Sequence, residues 1–381
     1  MSFDLILEQH DVWLFRDGRP FTAGEDIRAR SLFPPTPFTI QGAIRARVLF
    51  SSPVSPADYA GPNPSPAAQD LRRRIGAPGQ GYGQLRLQGP LLARRENNVW
   101  KLFFPLPADV VKVPGGGYAV LSPLKSDALH VQSNMPDGLW SLWIRNIKRV
   151  EEARGWVSEE DFRRYRQGQA PEKVYKESDF VVREHRFGIA LDQGKRTARA
   201  AHLYLAEFVR LKDGVALWVR VDGIQLPDLG SERGVLQLGG EARAAHYSVH
   251  EARALDWMPS REKALPERFK VVLLTPAWFA EGWRPTGGDW SRFFTGKVRL
   301  VSAAVPRYQP IGGAYVDDQR RKDAFQKPMR RFVPAGAVYF FEAKDPVVRW
   351  AGQPFTETPP DEGDFGQIGF GLLAVGEWDY T

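Results

Sequence analysis

An α+β fold with few helices is what this chain predicts, on three observations. Short apolar and β-branched runs suited to strands are dispersed through both halves, helical spacing is confined to a few segments, and the regular strand–helix alternation of a doubly wound sheet is missing. The 43% hydrophobic content, with 23 Phe, 12 Trp and 11 Tyr in 381 residues, is ample for sizeable cores and argues against disorder. At this length two packed domains are expected, divided as 1–222 and 223–381.

Phe3 to Glu8 and Asp11 to Phe15 read as short strands, closed by a turn at Arg16 to Pro20. Pro34, Pro35 and Pro37 disfavour helix, but Ile40, Ile44, Val48 and Leu49 have helical spacing, so a helix capped by threonine is expected from about Thr39. Gly42, Arg45 and Arg47 leave two readings of it, an N-terminus that approaches an anion or an amphipathic helix with solvated arginines. Residues 51–83, rich in Ser, Pro, Ala and Gly, read as a long surface excursion with a short helix from Pro66 to Arg74. Leu85–Leu92 and Val99–Pro105 form a strand pair turned at Glu96-Asn97-Asn98, and Asp109–Leu124 forms another around Gly115 to Gly117. Ser158 followed by Glu159, Glu160 and Asp161 marks a helix start, within a region at about 127–176 expected to project as an insertion. His202–Leu211 and Val215–Val221, joined by Lys212-Asp213-Gly214, predict a buried hairpin. Further strands are expected at Phe269–Thr275, Lys297–Val305, Ala337–Ala343 and Leu372–Trp378, the last preceded by a turn crowded with Gly366, Gly369 and Gly371.

The 52 Lys+Arg against 45 Asp+Glu give a formal +7, which favours partners carrying phosphates or carboxylates. Basic residues gather at Arg28 to Arg47, Arg183 to Arg199 and Arg320 to Arg331, the second segment running into strands. Arginine's planar fork matches phosphate and stacks on bases, so these segments make RNA the expected ligand, with Arg28, Arg30, Arg45, Arg183, Arg186, Lys195 and Arg196 as candidate contacts. The absence of cysteine excludes disulfides, thiolate metal sites and a cysteine nucleophile. With no cationic leader and no long apolar window, a cytoplasmic chain without a membrane anchor is expected.

Catalytic signals are thin. The C-terminal G-x-x-G-x-G lacks the Gly-Lys-Ser/Thr of a P-loop and precedes a strand, so it either lets backbone N–H groups approach something closely or is a tight turn that needs small residues. Among six scattered histidines, His246 and His250 would lie roughly 13 Å apart along a strand, too far to share a metal. No metal and no cofactor are expected. His185 or His202 could act as general acid or base in a metal-independent ribonuclease, but spacing supplies no companion group.

Seven blocks, in order, carry a resemblance. They begin with FRDGRPF at Phe15–Phe21 and AGEDIRARSLFPPTPFTIQGAIR at Ala23–Arg45, and continue through REHRFGIALDQGKRTARAAHLYLAEFVRL at Arg183–Leu211 and LGGEAR at Leu238–Arg243. PIGGAY at Pro310–Tyr315, KPMRRFVPAGAVYFFE at Lys327–Glu342 and FGQIGFGLLAVG at Phe365–Gly376 complete them. The chain resembles the third subunit of the Cmr module, the type III-B CRISPR effector complex. The resemblance implies a RAMP-superfamily protein with two ferredoxin-like (RRM-like) domains, inserted loops and a glycine-rich C-terminal loop. It also implies a non-nucleolytic subunit that holds the 5′ repeat-derived handle of the CRISPR RNA, beside the large palm-domain subunit and the backbone RAMP subunits. Its motif blocks fall on Gly312, Gly313, Lys327, Arg330, Gly366, Gly369, Gly371 and the segment around Arg186. The alternative is a metal-independent RAMP endoribonuclease that processes CRISPR RNA. Such nucleases often place a histidine near the first helix, and Thr39–Phe50 contains none.

Overall fold

The computed structural model describes residues 2–16, 28–125, 135, 136, 138–191, 198–313 and 327–381, with backbone alone for 190, 191 and 198–203. The principal elements begin with β1 (Phe3–Gln9), β2 (Arg28–Ala29), α1 (Pro37–Ser51), α2 (Pro56–Ala60) and α3 (Pro66–Ile75). β3 (Arg86–Glu96), β4 (Val99–Pro105), β5 (Trp156–Ser158) and α4 (Glu159–Arg166) follow. Then come β6 (Val181–Leu191), β7 (Ala198–Leu211), β8 (Val215–Asp222), β9 (Arg233–Gln237) and β10 (Ala244–Glu251). β11 (Arg268–Leu273), β12 (Val298–Ala304), β13 (Gln309–Ile311), β14 (Arg330–Phe332), β15 (Val338–Ala343) and β16 (Leu373–Glu377) complete the set. The α+β class holds.

A seven-stranded sheet has the order β5-β4-β3-β8-β1-β10-β9, and a four-stranded sheet the order β12-β15-β11-β16. Strand alternation divides their side chains between layers. Leu5 and Leu7 of β1, with Val215, Leu217 and Val219 of β8, meet Ile40 and Ile44 of α1 and Leu71 of α3 on one face. Ile6, Ala216 and Trp218 face the other way, onto Val272, Val338, Phe340 and Ala374 of the second sheet. The far face of that sheet is covered by aromatic residues, among them Trp290, Phe293 and Phe355. The layers therefore run helices, first sheet, second sheet, aromatic cover.

A buried polar triad crosses the middle layer. Lys270 Nζ of β11 lies 3.1 Å from Asp109 Oδ2, and the Tyr165 hydroxyl of α4 donates to the same carboxylate at 2.8 Å. Burial lowers the Lys270 pKa, opposed by Asp109, and raises that of Tyr165 well above its ordinary value, helped by Asp109.

Local signals set the helix starts. α1, α2 and α3 each carry proline in the first turn, after Thr36, Ser55 and Ser65. α1 thus begins two residues before the expected Thr39, and the Thr36 side chain makes no capping hydrogen bond. Ser158 caps α4 by accepting from the Asp161 N–H. The β3–β4 hairpin turns through Asn97 and Asn98, both at positive φ as a tight two-residue turn requires.

Several expectations need correction. The hairpin expected across Lys212-Asp213-Gly214 does not form: β7 pairs with β6, while β8 pairs with β1 and β3. The turn is a corner between sheets, its Lys212 N–H given to the Phe180 carbonyl and its Gly214 carbonyl taken by the Arg95 N–H, each at 2.8 Å. Residues 51–83 are no surface excursion, because Tyr59, Ala68, Leu71 and Ile75 enter the main core. Within the expected insertion at 127–176, β5 extends the first sheet beside β4, and Phe162 and Tyr165 are buried. The sheets do not divide at 222/223, since β10 lies directly beside β1. Among the described residues all four α-helices precede residue 167, and those of 223–381 hold only short 3-10 turns beside their strands.

Candidate nucleic-acid interface

One face of α1 (Ile40, Ala43, Ile44 and Val48) is buried, and the start of the helix borders a cleft of about 520 Å³. Phe38, Thr39 and Gly42 line it with Tyr82, Gly312, Gly313 and Lys327, so blocks far apart in the sequence converge there. Its cations are held. Lys327 Nζ lies 2.7 Å from a Glu362 carboxylate oxygen and 5.5 Å from the Phe38 ring centre. Arg330, outside the lining, reaches both oxygens of Asp361 at the cleft edge, at 2.7 and 2.8 Å. Arg45 donates to the Tyr59 hydroxyl at 3.1 Å and to the Gly76 and Ala77 carbonyls at 3.3 and 3.2 Å, which fixes its position without cancelling its charge. Burial, with the Glu362 carboxylate adding to it, pushes the Tyr82 hydroxyl above its ordinary pKa.

The glycine turn supports this cleft from beneath. Phe365, Ile368 and Phe370 pack with Tyr82, Ile311 and Phe332, and Phe38 lies against them. Gly369 has φ +108, and a Cβ there would come within 2.5 Å of the Gly89 carbonyl oxygen; Gly371 has φ +67 and meets Phe355 at 2.7 Å. The close approach expected of these glycines is to the protein's own backbone. Their N–H groups are taken as well: Gly366 donates to Asp364 at 2.9 Å, Gly369 to the Gly366 carbonyl at 3.3 Å and Gly371 to the Pro276 carbonyl at 2.9 Å.

A second surface is the sheet β6-β7-β2. Arg183, His185, Phe187 and Ile189 alternate onto one face of β6. Arg183 joins Glu177 at 2.6 Å, the Ser31 carbonyl at 2.9 Å and also Glu207; the hydrogen bond to Glu177 leads in raising its pKa. His185 Nε2 is 3.3 Å from Glu207 Oε2. Phe187 and Ile189 remain 75% and 52% exposed. A shallow cleft of about 390 Å³ brings Arg28, Arg30, Arg183 and His185 together, and Leu32 lines both this cleft and the one at α1.

The opposite face carries Arg186, stacked 5.0 Å from the Phe208 ring centre and paired with Glu184 at 3.1 Å. Arg210 and Arg243 complete that cluster around Asp11. The hydrogen bond from Arg210 leads in lowering the Glu184 pKa against burial; at Asp11 burial is the largest single effect and raises the pKa, but the Val12 backbone N–H and Arg210 together outweigh it and bring the pKa down.

The family model for the CRISPR-associated protein (Cas_Cmr3) matches residues 5–378. The chain belongs to this family. The resemblance to the third subunit of the Cmr module is thereby established, and this Cas_Cmr3 member has no match among curated proteins. It is similar to a chain in the cryo-EM structure of the type III-B Cmr-beta bound to cognate target RNA and AMPPnP, at 17% identity and TM-score 0.46, over 88% of this chain and 86% of that one. It is also similar to a chain in the crystal structure of the Csm3-Csm4 subcomplex of the type III-A interference complex, at 11% identity and TM-score 0.43, over 99% of both.

Of the residues singled out in the sequence, Arg45, Gly312, Gly313 and Lys327 meet at the first cleft, and Arg28, Arg30 and Arg183 at the second. Arg186 lies on the other face of β6, Gly366, Gly369 and Gly371 beneath the first cleft, and Lys195 and Arg196 outside the described residues. Sequence reasoning misses Phe187, although alternation along β6 sets it in line with Arg183 and His185. It misses Arg307, Tyr308 and Arg331 as a group too, because they come from separate segments. No group of three or more metal-ligating side chains occurs among the described residues, and no described helix is long and apolar enough to cross a membrane.

Proposed function

We propose that this Cas_Cmr3 family member is a non-catalytic RNA-holding subunit. It binds the 5′ repeat-derived handle of a CRISPR RNA and docks the large palm-domain subunit and backbone RAMP subunits of a type III-B effector. In that reading the two sheets are the strand frameworks of two ferredoxin-like units. The observation that carries it is the exposed Phe187 ring on the face that leads to Arg28 and Arg30, continuous past Leu32 with the cleft at α1. A bare aromatic stacks on a splayed base while arginine forks take phosphates, the combination that single-stranded RNA recognition uses. Arg183, held by two carboxylates, orients this surface rather than neutralising a phosphate.

Filter binding with a labelled single-stranded RNA that carries the handle tests the proposal. The wild-type chain should prefer it over a scrambled RNA, with affinity falling as salt rises, and Phe187→Ala should weaken binding about tenfold. Equal binding of handle and scrambled RNA would sink it. Arg30→Glu is the informative reversal, because reversing Arg186 or Arg330 would break an internal ion pair. The nuclease reading keeps one observation, the His185–Glu207 pair. A discrete cut of repeat RNA in EDTA, abolished by His185→Ala, would replace the non-catalytic proposal with that reading.

A further inference from the structure

Tyr308 precedes β13, 44% exposed, with two guanidinium groups near its ring. The Arg331 guanidinium carbon lies 4.9 Å from its ring centre and that of Arg307 6.0 Å. Both arginines are exposed. Neither has a hydrogen-bond or carboxylate partner among the described residues, whereas Arg330, one position before Arg331, is bound to Asp361. Strand alternation is the reason: on β14, Arg330 turns to the acidic loop, while Arg331 faces outward across from Pro310. Met329, 44% exposed, precedes Arg331 by two residues and so shares its side.

We infer that Tyr308, Arg307 and Arg331 form a second base-stacking contact for single-stranded RNA, on a different element from Phe187; this deepens the RNA-holding reading and rests on it. A guanidinium stacked on a ring leaves its outer face for a base and its in-plane N–H donors for phosphate. An acidic partner protein would use the donors and leave the ring idle, whereas a nucleotide uses both. Two cations with no carboxylate partner among the described residues also avoid the cost of breaking such an ion pair when the anion arrives.

The full-length chain is titrated with a single-stranded oligouridylate that carries 2-aminopurine at successive positions, read by fluorescence and by affinity. Wild type should quench the probe at two separate positions. Tyr308→Ala should abolish quenching at one of them and weaken binding about tenfold, while Phe187→Ala abolishes the other. Tyr308→Phe, which keeps the ring, should bind as wild type. The Arg307→Ala, Arg331→Ala double variant should reduce the slope of log affinity against log salt by about 0.7 for each phosphate it no longer neutralises. Unchanged quenching, affinity and salt slope in Tyr308→Ala and in the double variant, with Phe187→Ala still impaired, overturns the inference and leaves the RNA-holding reading standing. A wild type that binds no RNA overturns both. Variants that bind RNA normally but no longer capture the large subunit assign the patch to a protein partner instead, which also overturns it.

Discussion

Arg183, Arg186, Lys327 and Arg330 each face a carboxylate, while Arg30, Arg307 and Arg331 face none among the described residues. Paired cations hold loops and strands in position, and unpaired ones stay available to an external anion. The same logic governs acids. Burial opposes ionisation of Glu342, yet hydrogen bonds from Lys344, Tyr380 and Arg299 outweigh it and bring its pKa down to about 2. Tyr380, by burial and by its bond to Glu342, is pushed up to about 12. A folded-state pKa below the ordinary 4.5 means that this stabilisation is complete above about pH 4.5 and is lost as pH falls through about 2. Glu342→Gln should therefore lower the melting temperature at neutral pH and flatten its decline across that acid window. Parallel melting curves for variant and wild type throughout the window would refute the assignment.

Among the elements, the glycine turn shows how a motif can support a cleft without lining it. Gly369 presses on Gly89, where β3 breaks register against β8 between Trp218 and Arg220, and so ties the C-terminal loop to the first sheet. Gly369→Ala places a Cβ both at positive φ and against a carbonyl oxygen, and should cost roughly 2 kcal/mol in urea unfolding. Gly313→Ala is the contrast, since its Cβ meets only the Lys327 side chain, at 3.5 Å. Equal stability of the two variants would show that Gly369 is not a required close contact. At this scale the chain is partly legible. The Asn97-Asn98 hairpin, the Ser158 cap and the strands at Val298–Ala304 and Val338–Ala343 follow from local chemistry. The Lys212–Gly214 turn misleads, because Asp-Gly specifies a reversal but not which strand lies beside the next one.

For the whole molecule, the two sheets share one apolar layer and the Lys270–Asp109–Tyr165 triad, so they should unfold together. Circular dichroism and tryptophan fluorescence should trace coincident urea transitions, and separated transitions would disprove the coupling. Lys270→Met should destabilise by about 3–5 kcal/mol by leaving Asp109 buried without its counter-charge, and adding Asp109→Asn should recover part of the loss. The sequence by itself determined the α+β class, the starts of α3 and α4, the absence of thiol chemistry and the family, because each rests on local residue chemistry or on ordered blocks. Only the tertiary structure decided which arginines lack a carboxylate partner among the described residues, that the C-terminal glycines contact Gly89 and Phe355, and that Phe187 and Tyr308 stand exposed beside cations. Those outcomes depend on partners distant along the chain: the carboxylate that neutralises Lys327 is 35 positions away and the one across from Arg183 is 24, separations that no periodicity encodes.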